Sequence, residues 1–255
     1  MLHYFRKIRH NLIANNQTFK YLKYAIGEVI LVVLGILIAL HISNWNEQKK
    51  LDLKKQVYID RLKYDLERDT VNLHYYIAEC NKKVKLWRIT AKQIQNPTTT
   101  IDTIKSILLN SMLLLPQYKQ QNKATYSSLM SNGDIDLFYE DHMVMLIDFY
   151  TIRESNQNTI IGYEEYLRSN FSELIKNLGF SIIKDETTTY YQKVTFEIDT
   201  AKKTGILSDY LYSNSNYLFN NWQLAHYGMI RSKAVLKALN NPNENSYSDI
   251  SHIFK

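Results

Sequence analysis

One cysteine, three prolines and seven glycines are spread over 255 residues. The single cysteine, Cys80, excludes an intrachain disulfide and a thiolate metal cluster. So few breakers argue against a many-turned β fold and favour long helices. The glycines fall at 27, 35, 133, 162, 179, 205 and 228, so neither G-x-G-x-x-G nor G-x-x-x-x-G-K can be written. Nucleotide binding by those loops is excluded with them. The H-E-x-x-H pair, the G-x-S-x-G elbow and a Glu three residues before a His are missing as well. The zinc-protease, hydrolase and di-iron signatures go with them. No cofactor and no metal are expected, and the chain reads as a non-enzyme. Cys80 falls on an apolar helical seam, where a thiol behaves as a small inert hydrophobe.

The net charge is +6, from 31 Lys and Arg against 25 Asp and Glu. That balance suits an anionic lipid surface but is too dilute to argue for nucleic acid. Twenty tyrosines are many. Each pairs a large apolar face with a polar tip, which suits packing between helices.

What the chain does have is a long apolar run, "YAIGEVILVVLGILIALHISNW", Tyr24 to Trp45. Between Lys23 and Asn44 lie 20 residues with no Lys, Arg or Asp. At ~1.5 Å rise each they span about 30 Å, the thickness of a hydrocarbon core. Glu28 and His41 interrupt the run only near its ends. Tyr21 and Tyr24 mark one interface and Trp45 the other, as aromatic belts do. The exit His41-Ile42-Ser43-Asn44-Trp45 is a poor cleavage site, so the run reads as a retained anchor over residues 21–45. Glu28 lies one turn inside the boundary and reads as snorkelling to the headgroups, near Lys20 or Lys23. Gly35 and Ala39 form a small-xxx-small pair, a weak helix-pairing signal.

Residues 1–20 form a basic tail. Leu2, Phe5, Ile8, Leu12 and Ile13 share one helical face and Arg6, Lys7, Arg9 and His10 mostly the other, which suits a helix lying in the interface. Residues 1–23 carry five Lys/Arg and no acid, and residues 44–63 six Lys/Arg with three acids. The positive-inside count is nearly tied. A short, wholly basic tail resists translocation, whereas a large domain crosses largely regardless of charge. The expected topology is therefore a cytoplasmic tail, a single pass through the cytoplasmic (inner) membrane, and a periplasmic main domain.

The stretch "FRKIRHNLIANN" followed by "YAIGEVILVVLGILIALHISNWNEQKK" resembles an uncharacterised family of single-pass membrane proteins of Bacteroidetes, domain-of-unknown-function family 6090. The resemblance is close across residues 4–50. It is looser at "TYSSLMSNGDIDLF", Thr125 to Phe138, where the family has a similar Tyr-x-x-Leu-x-x-x-Gly turn. It implies location and architecture, and carries over no catalytic residue.

Beyond the anchor the pattern is helical. Leu62, Leu66, Leu73, Ile77, Cys80, Val84, Trp87, Ala91 and Ile94 recur at threes and fours, with Asp69 the polar exception, up to "NPTTT" at Asn96. A shorter helix is predicted over Ile101–Leu115, stopped by Pro116, then a polar loop "QYKQQNK". One or two helical turns cover Thr125–Met130, closed by Gly133, with Asp134 starting the next element. A second long helix runs from Phe138 through His142, Met145, Phe149, Asn156, Ile160 and Leu167 to Leu178, with Gly179 as its stop. The alternation of Val194, Phe196 and Ile198 predicts a short strand or hairpin within 182–198. A third long helix carries Leu211, Ser215, Leu218, Trp222, Ala225, Met229, Ser232, Leu236 and Leu239. Residues 241–255 read as a polar, fraying tail. The fold class expected is all-α: the transmembrane helix continues into an elongated antiparallel helical bundle, coiled-coil-like in its repeats, formed by one extramembrane domain over 46–240.

His74, His142 and His226 fall one on each long helix, and can meet only if the helix heights match. Satisfied or solvated histidines are the simpler reading. Asp69 and Asn156 occupy seam positions, where a polar group sets register or faces a cavity. Glu164-Glu165 and Asp134 with Asp136 read as a solvated face and turn residues. The function expected is a membrane-anchored helical protein that binds an envelope partner or a second copy of itself. An extracytoplasmic sensor for a small ligand, signalling through a partner, is the second reading. A membrane enzyme with no linear motif is the third.

Overall fold

The computed structural model describes residues 18–100, 102–104, 106, 115–177, 180–184, 192–196, 202–240 and 251–253. The expected tail helix at 1–17, most of the helix expected over Ile101–Leu115, the Leu178-Gly179 stop and residues 241–250 lie outside them.

The described chain is predominantly helical. Thr18–Gln95 is one helix, α1. It contains no proline and only Gly27 and Gly35, so nothing interrupts its hydrogen-bond ladder. It stops where Pro97 disfavours helical backbone at Asn96. There Thr99 donates its hydroxyl to the Gln93 carbonyl at 2.7 Å, and Thr98 N–H donates to Asn96 Oδ1 at 3.1 Å. The first satisfies a carbonyl that a helix end leaves open, and the second closes an Asx turn beyond it.

Two compact units divide the chain, Met1–Val57 and Tyr58–Lys255. In the first, no described residue of α1 is buried in an apolar core. The large aliphatics from Val29 to Leu40 are each 47% to 71% exposed. This is one helix long and apolar enough to cross a membrane. Residues 46–57 fall with this unit.

The second unit contains the remainder of α1 and three further helices: α2 (Ala124–Ser131), α3 (Glu140–Asn177) and α4 (Lys202–Asn240). A 3-10 turn covers Asp134–Leu137, entered through Gly133 at φ 68°, a left-handed conformation that favours glycine. Short strands β1 (Phe180–Lys184) and β2 (Gln192–Phe196) pair antiparallel, with Ile182 opposite Val194. Residues 185–191 and Ile198 lie outside the described residues.

The direction of each helix follows from which residues meet. Asp69 meets Arg153 and Tyr76 meets Glu164, so α1 and α3 run the same way. Tyr76 meets Asn221 and Gln95 meets Ser208, so α4 runs against both. Residues 115–134 run back along α1, from Tyr118 beside Tyr76 to Asp134 beside Tyr58. A mostly non-helical segment therefore occupies the return path that a second long helix would take.

Two apolar clusters hold the unit. One gathers Cys80, Val84, Trp87, Ile160, Leu211 and Leu218 among others. The other gathers Leu62, Leu66, Leu129, Met145, Phe149 and Val235 among others. Every seam residue named above on α1 from Leu62 to Ile94 is buried except Ile77, which is half-buried.

Candidate functional site

Between the two clusters lies a polar seam built on carboxylates from α1 and α3. Asp69 is 1% exposed, and Asp65 lies one helical turn before it on the same face. Arg153 donates through Nη2 to Asp69 Oδ2 at 2.5 Å and to the Asn122 carbonyl at 2.9 Å. Asn122 N–H donates to both Asp69 oxygens at 3.2 and 3.1 Å. Asp65 accepts the Asn122 amide at 2.7 Å and the Thr125 hydroxyl at 2.5 Å. The Arg153 guanidinium also lies against Tyr150, 5.1 Å from its ring centre. Burial pushes the Asp69 carboxyl up, against the pull of Arg153 and of the Asn122 amide.

A second acidic position follows the first. Glu164 accepts the Tyr76 hydroxyl at 3.0 Å and the Tyr118 N–H at 2.9 Å. Its burial holds the carboxyl above the ordinary range, opposed by those two donors. Asn221 donates to Tyr76 at 3.2 Å, which links α4 into the same chain of bonds. Gln157 accepts the Gln121 N–H at 3.1 Å.

The chemistry of this arrangement is specific. Residues 118–122 lie in a stretch without helix or sheet, so their amides have no ladder to join. Three of those amides, at Tyr118, Gln121 and Asn122, are taken instead by side chains of α1 and α3. The buried carboxylates thus bind the chain's own backbone, and the segment is a strap held by charge-assisted bonds. Two spaces adjoin it. A cavity of about 10 Å³, close to the room of one water molecule, is lined by Leu73, Tyr118, Phe149, Arg153, Asn156 and Arg231. An open groove of about 500 Å³ lies between α2 and α3, floored by Tyr126 and Tyr150, whose rings stack at 4.0 Å.

The residues singled out from the sequence are not all brought together. Asp69 is at the seam's centre and Asn156 lines the small cavity. His142 is buried, its ring 6.3 Å from that of Tyr139. His226 is half-buried and stacks on Trp222 at 5.3 Å. His74 is exposed. Among the described residues no three His, Cys, Asp or Glu side chains form a metal-sized group. Gly35, Ala39 and Trp45 are exposed and Glu28 half-buried on α1, with Lys49 Nζ 5.6 Å from the Trp45 ring centre. Tyr24 is helical, but its side chain lies outside the described residues. Cys80 is fully buried in the apolar seam, its thiol pushed up to about 12 by burial.

One reading needs correction. Glu164 is buried, not part of a solvated face, although Glu165 beside it is exposed. Asp134 and Asp136 lie in the turn as expected, but Asp134 is also buried and accepts the Tyr58 hydroxyl at 2.7 Å, while Asp136 is exposed. In both cases a tyrosine on α1 supplies the donor that makes burial tolerable. Asp65, Arg153, Tyr76 and Asn221 were not singled out at all. The available signal was an acidic residue recurring on the core face of α1, at Asp65 and again at Asp69.

Residues 28–135 match a family described as a family of unknown function (DUF6090). The match takes in residues 28–50 of the anchor resemblance and residues 125–135 of the turn; residues 4–27 and 136–138 of that resemblance lie outside it. That span includes the strap and its two α1 carboxylates. No curated protein and no solved structure matches the chain.

Proposed function

We propose that this chain is a single-pass protein of the inner membrane, with its basic tail in the cytoplasm and its helical domain, a bundle of three long helices and the strap, outside. It acts by binding, to an envelope protein or to a second copy of itself, and not by catalysis. One observation carries the reading: in a chain whose second unit has its own apolar core, the aliphatics from Val29 to Leu40 remain 47% to 71% exposed along one helix. In water that exposure is costly; in a hydrocarbon layer it is favourable. The buried carboxylates support a binding role over chemistry, because their oxygens are occupied by the strap. The enclosed cavity has room for one water, while the open groove of about 500 Å³ between α2 and α3 keeps a small-ligand sensor as the second reading.

The test is labelling of single reporter cysteines in a Cys80→Ala background. Asn15→Cys reports on the tail and Asn220→Cys on an exposed position of α4. An impermeant maleimide added to spheroplasts is expected to label the second and not the first. Labelling of the first alone, or of both, rejects the topology. Recovery of the full chain in the supernatant after ultracentrifugation rejects the anchor.

A further inference from the structure

The part of α1 inside the second unit has two apolar faces. One, from Leu62 to Ile94, is buried. The other carries Tyr64, Val71, Tyr75, Leu86 and Ile89, which are 40% to 70% exposed. Their spacing of seven, four, eleven and three places them within an arc of about 60° at 100° per residue, opposite the buried seam. Tyr64, Tyr75 and Leu86 repeat at eleven, the interval that keeps one face nearly in line along a straight helix. Lys82 falls on the same line and pairs with Glu79 at 2.7 Å, so the uninterrupted apolar part of the stripe is Tyr64, Val71 and Tyr75. Scattered exposed hydrophobics need no explanation, but an aligned run of this kind does.

The charges beside the stripe differ from one flank to the other. Along Tyr64 to Tyr75, Asp60 and Glu67 border it on one side, and Arg61 and Arg68 on the other, all four exposed; farther on, Lys85 and Glu79 reverse the signs. A two-fold pair of parallel helices sets each copy's acidic flank against the other's basic flank. We infer that this stripe is a self-association surface, where α1 of a second copy of this chain packs in parallel. The inference rests on the anchored reading above, because two copies held in one bilayer present α1 in the same direction. The partner is then specified by complementarity on both counts: apolar stripe to apolar stripe, and acidic flank to basic flank.

The test uses the full chain in membranes, with Cys80→Ala and a single new cysteine at Val71→Cys, Tyr75→Cys or, as a control on exposed α3, Thr159→Cys. Copper-phenanthroline oxidation is expected to form the disulfide-linked dimer at 71 and 75 at least about tenfold faster than at 159. Equal rates at all three sites overturn the inference. Arg61→Glu with Arg68→Glu is expected to lose the dimer, and adding Asp60→Arg with Glu67→Arg to restore it. A dimer indifferent to both sets overturns it too. Should Cys80→Ala fail to fold, sedimentation of the unaltered chain in dodecyl maltoside decides: twice the chain mass is expected, and the monomer mass overturns the inference. Membrane pelleting of each sample separates the two readings. A chain that pellets yet stays monomeric removes the pairing alone, and a chain that does not pellet removes the anchor.

Discussion

The same helix, α1, is apolar in two places for two reasons. From Val29 to Leu40 it is apolar on every side, and its large aliphatics are each 47% to 71% exposed. From Leu62 to Ile94 it is apolar along a seam that the other helices cover. The backbone conformation is identical, and only the surroundings required by the side chains differ. Helical propensity therefore says little about either stretch, and the angular distribution of apolar residues says nearly everything.

That comparison can be broken from either side. Leu34→Arg with Leu37→Arg puts two charges at mid-run, at about 5 kcal/mol or more for insertion. Membrane flotation is expected to lose the chain, while the thermal unfolding of the second unit stays where it was. Trp87→Ala does the reverse. It opens the core at a site 1% exposed and is expected to lower stability by about 3 to 5 kcal/mol in urea unfolding, with flotation unchanged.

A subtler break separates the dry core from the polar seam. Asp69→Ala leaves Arg153 buried without its carboxylate and is expected to cost about 3 kcal/mol. Hydrogen exchange should quicken at the Asn122 amide, which donates to Asp69 at 3.1 Å, before it quickens around Trp87. Adding Arg153→Met should recover part of the loss, since an uncharged pair needs no partner.

The smallest expected effect is a slope. Burial raises the Glu164 carboxyl above its usual 4.5, so the folded chain holds a proton that the unfolded chain releases more readily. Its contribution to stability is full below that usual value and is lost as pH rises through the raised one. Unfolding measured from about pH 4 to about pH 7 should show this decline, and Glu164→Gln should lessen it, leaving the share of Asp69, whose carboxyl burial also raises.

The seams of the long helices were legible because burial there follows period alone. Leu62, Leu66, Cys80 and Trp87 recur at helical spacing, and each is buried. The polar seam was not legible, because its burial depends on partners far along the chain. Glu164 is tolerable inside because Tyr76, 88 residues away, and the Tyr118 N–H donate to it. Asp134 likewise accepts from Tyr58, 76 residues away. The strap was read as a polar loop because it has no period, and side-chain acceptors for backbone amides leave no spacing rule. Asp69 was singled out as an exception in an apolar row, but its partner Arg153 lies on another helix and shares no local pattern with it.

The parallel course of α1 and α3 has a consequence for biosynthesis. Residues 115–135 bring Tyr118, Leu129 and Ile135 to α1 first, but most of its cover comes from α3 and α4, encoded later. Much of the apolar seam of α1 therefore leaves the ribosome, and on the reading above crosses a translocon, before most of its shield exists. An interval of incomplete burial is built into the order of the elements, and it ends when α4 has been synthesised.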